Sequence, residues 1–163
     1  MDKQQLMEEY ERFILLPDRQ AFELLLCGVA SHFMDRAVPF WVLYVGASGS
    51  GKSDLALRLI DDGAMLVADD QVHLNSVSGK LIASPHIALA GKIEIRGCGI
   101  IDLPYRKTVA IGLVVDLEER DDIPRLPEVI ACNFYGHSLP VYRLHGFDIS
   151  CAIKIRTILN RLV

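Results

Sequence analysis

The sequence predicts an α/β domain organised around a phosphate-binding loop, and three adjacent features carry that expectation. Residues 40–45, Phe-Trp-Val-Leu-Tyr-Val, are apolar almost throughout, as in a strand buried on both faces. They run directly into Gly46-Ala47-Ser48-Gly49-Ser50-Gly51-Lys52-Ser53, which satisfies the pattern GxxxxGK[ST] at every position. Residues 52–62 then carry Leu55, Leu59 and Ile60 on one helical face, with Asp62-Gly63 as the stop.

The other elements follow in chain order. Residues 2–28 read as helical: Leu6, Tyr10, Phe13 and Ile14 recur at helical spacing, Pro17 interrupts, and Phe22, Leu25 and Leu26 continue to Gly28. This predicts an N-terminal helical extension over 1–28, ahead of a domain over 29–163. Residues 29–35 read as a strand joined to 40–45 near Asp35-Arg36-Ala37-Val38-Pro39. Residues 64–67 form a further buried strand, and Val72–Leu74 and Leu81–Ala83 flank Ser78-Gly79 as a hairpin. Leu89, Ile93 and Ile95 lead into Arg96-Gly97-Cys98-Gly99, a glycine-broken strand or loop edge. Val109–Leu117 is the longest apolar run of the second half and a strand. Residues 118–128 are polar with Pro124 and Pro127, hence a surface loop. Residues 129–134 and 139–144 are strands around a Gly136 turn, and 148–162 form a C-terminal helix.

A chain of 163 residues suffices for one core. With 51% apolar and 23% charged residues it falls among soluble globular proteins, not disordered ones. A net charge of −4 argues against a non-specific nucleic-acid binder, which is normally basic. No apolar run approaches the ~18 residues of a membrane span, and the polar, acidic start is unlike a secretory signal, so a cytoplasmic protein is expected. The four cysteines, Cys27, Cys98, Cys132 and Cys151, lack metal-site spacing and read as reduced, mostly buried thiols.

The chemistry is concentrated in three segments. In the phosphate loop, glycines let successive N–H groups turn toward phosphate oxygens, and the following helix adds the positive end of its dipole. Lys52 supplies a mobile charge for the β and γ phosphates of ATP, and Ser53 offers a hydroxyl to Mg²⁺. Asp69 and Asp70 end the next apolar run, beside the loop in a compact strand-helix-strand unit. One carboxylate of such a pair can hold Mg²⁺ or orient a neighbour while the other takes a proton from an attacking hydroxyl. Glu94 and Arg96 are two apart in Lys92-Ile93-Glu94-Ile95-Arg96, so on a strand they share a face, suited to a metal and a phosphate.

Together, "GASGSGKSDLALRLID", "GAMLVADDQV", "LIASPHIALAGKIEIRGCGIIDLPY" and "ERDDIPRLPE" resemble the catalytic domain of HPr kinase/phosphorylase, over roughly residues 30–160. The form resembled is the short one of alphaproteobacteria, consisting of the C-terminal catalytic domain. The resemblance implies a P-loop kinase core like that of phosphoenolpyruvate carboxykinase, a mixed sheet with flanking helices. It implies Mg-ATP-dependent phosphorylation of a serine on the phosphocarrier protein HPr of the phosphotransferase system. It also implies a homo-oligomer, often a hexamer in the family. Asp70 then serves as base on the acceptor serine and Lys52 binds phosphate. Ser53 and Glu94 are Mg²⁺ ligands, and Asp69 and Arg96 support the site. His32 matches a catalytic histidine upstream of the loop, and Arg125 a catalytic arginine of the later loop, with Arg120 as its alternative. The sequence departs mildly at Ala47 and Asp54, and more deeply at Leu139–Ser150. There, a Pro-Gly-Arg-Asn-type segment of phosphorylase-active members is absent, which argues against dephosphorylating activity. The alternatives are a small-molecule kinase or ATPase on the same loop, and a non-catalytic ATP-binding regulatory module.

Overall fold

The strand Val109–Leu117 is the axis of the fold, because its apolar residues reach into both halves of the core. The computed structural model describes residues 22–23, 26–28, 41–47, 49–69, 71–128 and 130–162. In chain order these form β1 (Phe22–Glu23), β2 (Leu26–Gly28), β3 (Trp41–Val45), α1 (Lys52–Asp61), β4 (Met65–Ala68), β5 (Gln71–Val77) and β6 (Lys80–Pro85). They continue with β7 (Lys92–Ile95), β8 (Gly99–Asp102), β9 (Val109–Leu117), a 3₁₀ turn at Arg120–Asp122, β10 (Ile130–Phe134), β11 (His137–Leu144) and α2 (Cys151–Leu162).

The main sheet is mixed. Its order is β1-β5-β6-β9-β11-β10, and β3 also pairs with β9. β3 and β11 both run parallel to β9 and share its residues Val114–Asp116 as partners, so they lie on opposite edges of it. The segments that leave β3, β9 and β11 therefore emerge at the same end, where ligands of parallel sheets bind. β5, β6, β10 and the β6–β9 pairing are antiparallel. Two small antiparallel pairs complete the fold, β2–β4 and β7–β8.

The sheet separates two apolar clusters. Trp41 and Leu43 of β3 join Val67, Leu81, Val114 and Phe134 on one side. Val42 and Tyr44 join Leu113, Val115, and Leu55, Leu59, Ile155 and Leu159 of the two helices on the other. The phase of β9 changes between Ile111, on the first side, and Leu113, on the second. The register explains it: Trp41 faces Ile111 but Val42 faces Leu113, so Gly112 is skipped as a bulge.

Most expected elements occur where the apolar periodicity puts them, including the hairpin turned at Ser78-Gly79, both with positive φ. One expectation is corrected. Residues 22–23 and 26–28 are strands and not helix, because Phe22–Glu23 pairs with Gln71–Val72 and Leu26–Gly28 pairs with Met65–Ala68. Sheet edges needing backbone partners override a helical spacing of three apolar residues. The rest of the 1–28 extension and the 29–35 strand lie outside the described residues. Of the two readings of the segment after Ile95, a glycine-broken strand or a loop edge, the second holds: Arg96 to Cys98 is the turn of a hairpin. Cys132 and Cys151 are buried as expected, whereas Cys98 is exposed in that turn.

Leu113 is fully buried against the helices. Leu113→Ala should cost roughly 2–5 kcal/mol in urea unfolding. Ile100→Ala, on the exposed face of β8, should change the midpoint little.

Candidate functional site

β3 carries four buried residues, Trp41 to Tyr44, and delivers the chain out of the core at Gly46. The loop turns through Gly49 and Gly51, and Gly51 takes φ 89° immediately before α1, a conformation that strains any residue with a Cβ. The first N–H groups of α1 have no carbonyl one turn earlier and face the loop, a ready anion site. Lys52 folds over this loop. Its Nζ donates to the carbonyl oxygens of Gly46 and Ala47 at 2.8 and 2.9 Å.

Asp69 joins this loop to the next segment. Leu66, Val67 and Ala68 anchor β4 in the core, and Asp69 follows directly at 6% exposure. Its Oδ1 accepts a hydrogen bond from Ser53 Oγ at 3.1 Å, and its Oδ2 accepts one from the Glu94 backbone N–H at 2.8 Å. A single carboxylate thus ties the first turn of α1 to β7. Serine hydroxyl and carboxylate are hard oxygen donors of the kind Mg²⁺ takes. Among the described residues no three His, Cys, Asp or Glu side chains gather as a cage. A Mg²⁺ ion here would draw its remaining oxygens from phosphate and water, as it does at nucleotide sites.

The loop is backed from the β11 side by the turn His145-Gly146-Phe147-Asp148. A Cβ on Gly146 would run into the Ser50 carbonyl oxygen and sit 3.4 Å from Gly51 Cα, so only glycine allows this approach. A Cβ on Gly51 would meet the Phe147 ring at 3.2 Å. Arg58 of α1 clamps the turn by donating to the carbonyls of Gly146 and Asp148, while pairing with Asp54 one turn earlier. Asp148 in turn pairs with Lys154 and Arg120, and the Lys154 hydrogen bond holds its carboxyl below the usual range. His145 donates from Nδ1 to the Glu118 carbonyl at 3.0 Å.

A second carboxylate pair stands at the end of β9. Asp116 and Glu118 are two apart, and Arg143 of β11 lies 3.3 Å from Glu118. Burial, reinforced by the Asp116 charge and only partly opposed by Arg143, pushes the Glu118 carboxyl up to about 7.

Of the residues singled out in the sequence, Gly46, Ala47, Gly49, Ser50, Gly51, Lys52, Ser53, Asp69 and Glu94 form one connected unit. Ser48, Asp70 and His32 lie outside the described residues. Glu94 is on β7 with an exposed side chain, but Arg96 falls in the turn beyond the strand end, so the two do not share a strand face as expected. Arg125 is exposed in the 118–128 loop, with no hydrogen bond or ion pair to the phosphate loop among the described residues. Arg120, its alternative, is the one paired to the turn that backs the loop. Sequence reasoning passed over Arg58 and the Asp116–Glu118 pair, and met the 145–148 turn only as part of the departure at Leu139–Ser150. The i,i+2 carboxylates ending an apolar strand were the available signal for the second; the others depend on contacts between distant segments.

The HPr Serine kinase C-terminal domain family matches residues 36–129. The HPr kinase/phosphorylase of Clostridium tetani is 42% identical over 85 residues, covering 48% of this chain and 28% of that protein. That of Clostridium beijerinckii is 39% identical over 109 residues, 66% of this chain and 33% of that protein. The chain thus spans about a third or less of the length of these relatives. A solved structure of the Hpr(Ser) kinase/phosphatase from Coxiella burnetii superimposes with a TM-score of 0.72 at 25% identity, over 87% of this chain and 89% of that one. No helix among the described residues is long and apolar enough to cross a membrane.

Asp69→Ala should speed hydrogen exchange at the Glu94 amide by roughly ten-fold or more, since a charge-assisted bond is worth about 1.5–3 kcal/mol. Asp69→Asn, which keeps an acceptor, should do so less. Glu118 binds its proton more tightly folded than unfolded, so its contribution is fully present below 4.5 and lost as pH rises through about 7. Glu118→Gln should therefore flatten the fall of the urea midpoint between about pH 5 and 8 and be the more stable form at the upper end.

Proposed function

This chain belongs to the family of the HPr Serine kinase C-terminal domain, and on that premise we propose that it is a Mg-ATP-dependent protein kinase acting on a seryl residue of the phosphocarrier protein HPr. The observation that carries this is the link from Ser53 through Asp69 to Glu94, which couples a phosphate loop to a second polar segment. Phosphate loops are common; the added tie from this one to β7 supports a reading in which an acceptor is met beside the nucleotide.

In this mechanism the loop N–H groups and α1 hold the phosphates of ATP. Lys52 exchanges two neutral carbonyl acceptors for phosphate oxygens, a stronger charge-assisted bond. Ser53 and Glu94 would hold Mg²⁺, with Asp69 fixing the serine hydroxyl. The ion supplies charge neutralisation on the transferred group. Asp70, next in the chain after Asp69, acts as base. The seryl oxygen bonds to the γ phosphorus, the bond to the β-phosphate oxygen breaks to release ADP, and the seryl proton passes to the Asp70 carboxylate. His32 and Arg96 support the acidic pair and the site's shape. Arg125, or Arg120, stabilises charge on the phosphoryl group in flight.

The reverse, dephosphorylating direction is proposed to be weak, because residues 139–150 lack the Pro-Gly-Arg-Asn-type segment that phosphorylase-active members of the resembled family carry after the Pro-Val. A cytoplasmic homo-oligomer is the proposed working form. Intact-mass analysis of HPr after incubation with this protein, Mg²⁺ and ATP should show one added phosphoryl group on a serine. Lys52→Ala and Asp70→Asn should each reduce the transfer at least a hundred-fold, on the order of a lost electrostatic or acid–base contribution. ATP turnover with unmodified HPr would refute the proposed acceptor.

A further inference from the structure

We propose that Phe147 is the platform on which the base of the bound nucleotide stacks. This rests on the loop at 46–53 binding a nucleotide and adds the part of the site that receives the base.

Three observations lead to it. First, topology brings the two segments together. The phosphate loop leaves β3 and the 145–148 turn leaves β11, at the same end of strands that flank β9. A nucleotide whose phosphates lie in the loop must place its base near one of the neighbouring segments at that end. Second, the ring is seated on the loop itself. Its Cε1 and Cζ approach Gly51 so closely that a Cβ there would meet them at 3.2 and 3.3 Å. Third, the ring remains open to solvent. Phe147 is 56% exposed, although Arg58, Asp148 and Gly146 fix the turn that carries it.

An aromatic ring held by a clamped turn and left half in water has a cost with no return in core packing. A flat ligand recovers that cost. The ring is also oriented before binding: His145 packs against it in a T-shaped arrangement, 5.9 Å between centroids at 62°, and His145 is itself tied to the Glu118 carbonyl. A single T-shaped neighbour covers at most one of the two faces of a ring that is 56% exposed. The next residue, Ile149, is 93% exposed, extending the apolar surface beyond the ring. Nearby charges are engaged elsewhere, Asp148 with Lys154 and Arg120, and Arg58 with Asp54. Recognition at this position is therefore by stacking and not by reading of base edges, so it should tolerate either purine.

The test uses the full chain and calorimetric titration with two probes in the presence of Mg²⁺: ATP and inorganic tripolyphosphate. Phe147→Ala should weaken ATP about ten-fold or more, the scale of one lost base–aromatic stack, and leave tripolyphosphate within two-fold. GTP should be weakened as much as ATP. Phe147→Trp should keep ATP affinity, and its indole emission should be quenched by ATP but not by tripolyphosphate. Equal weakening of both probes in Phe147→Ala would mean the ring only props the loop, and would overturn the proposal. Unchanged binding of both would overturn it as well. Wild-type protein that bound neither probe would instead refute the nucleotide site, and this inference with it.

Discussion

The buried carboxylate of Asp69 holds the site together. Phosphate loops depend on a backbone that is already folded to receive an anion, and that requires α1 to start at a fixed place. Asp69 fixes it from the far side, by accepting the Ser53 hydroxyl on one oxygen and the Glu94 amide on the other. A carboxylate with so little exposure would be costly without such donors. Here the burial becomes useful, because the two oxygens must point at two different segments. The apolar residues of β4 determine the height at which that carboxylate leaves the core.

The second support comes through the sheet. Parallel pairing of both β3 and β11 with β9 sends their following segments to the same end. Gly146 then lies against Ser50 and Gly51 with no room for a side chain, and Arg58 locks the turn to α1. The phosphate loop is thus held between Asp69 and the 145–148 turn. Rigid support of this kind places loop N–H groups before a ligand arrives, so little reorganisation remains to oppose binding.

How much of this was legible follows from the range of each interaction. The loop, α1 and the strands at 41–45 and 109–117 are local patterns, and glycine spacing or apolar periodicity reveals them. Asp69 was visible as a carboxylate at a strand end, but its two partners were not, since Glu94 contributes its backbone and any residue type could do so. The strands at 22–23 and 26–28 were misread because their apolar residues suit either period, and only pairing with β5 and β4 decides between them. The backing turn was noticed only as a departure from a family pattern. Its meaning depends on Gly146 meeting a loop nearly a hundred residues earlier.

Charge is the remaining constraint on such a site. The polyanion proposed to bind here would lie beside Asp69, Glu118 and Asp148, and like charges at this range are repulsive. Each is dealt with differently. Asp69 is engaged by a hydroxyl and an amide, and Asp148 by Lys154 and Arg120. Glu118 has Arg143 beside it, and burial raises its carboxyl so that a proton is retained up to near neutrality. Lys52 meanwhile donates to the Gly46 and Ala47 carbonyls, and a phosphate oxygen competes with these two acceptors on favourable terms. These acidic groups are thus answered from within the fold, and the loop lysine keeps two carbonyl bonds that a phosphate oxygen can displace. Such an arrangement eases the proposed binding of a nucleotide at this end of the sheet in a protein of net negative charge.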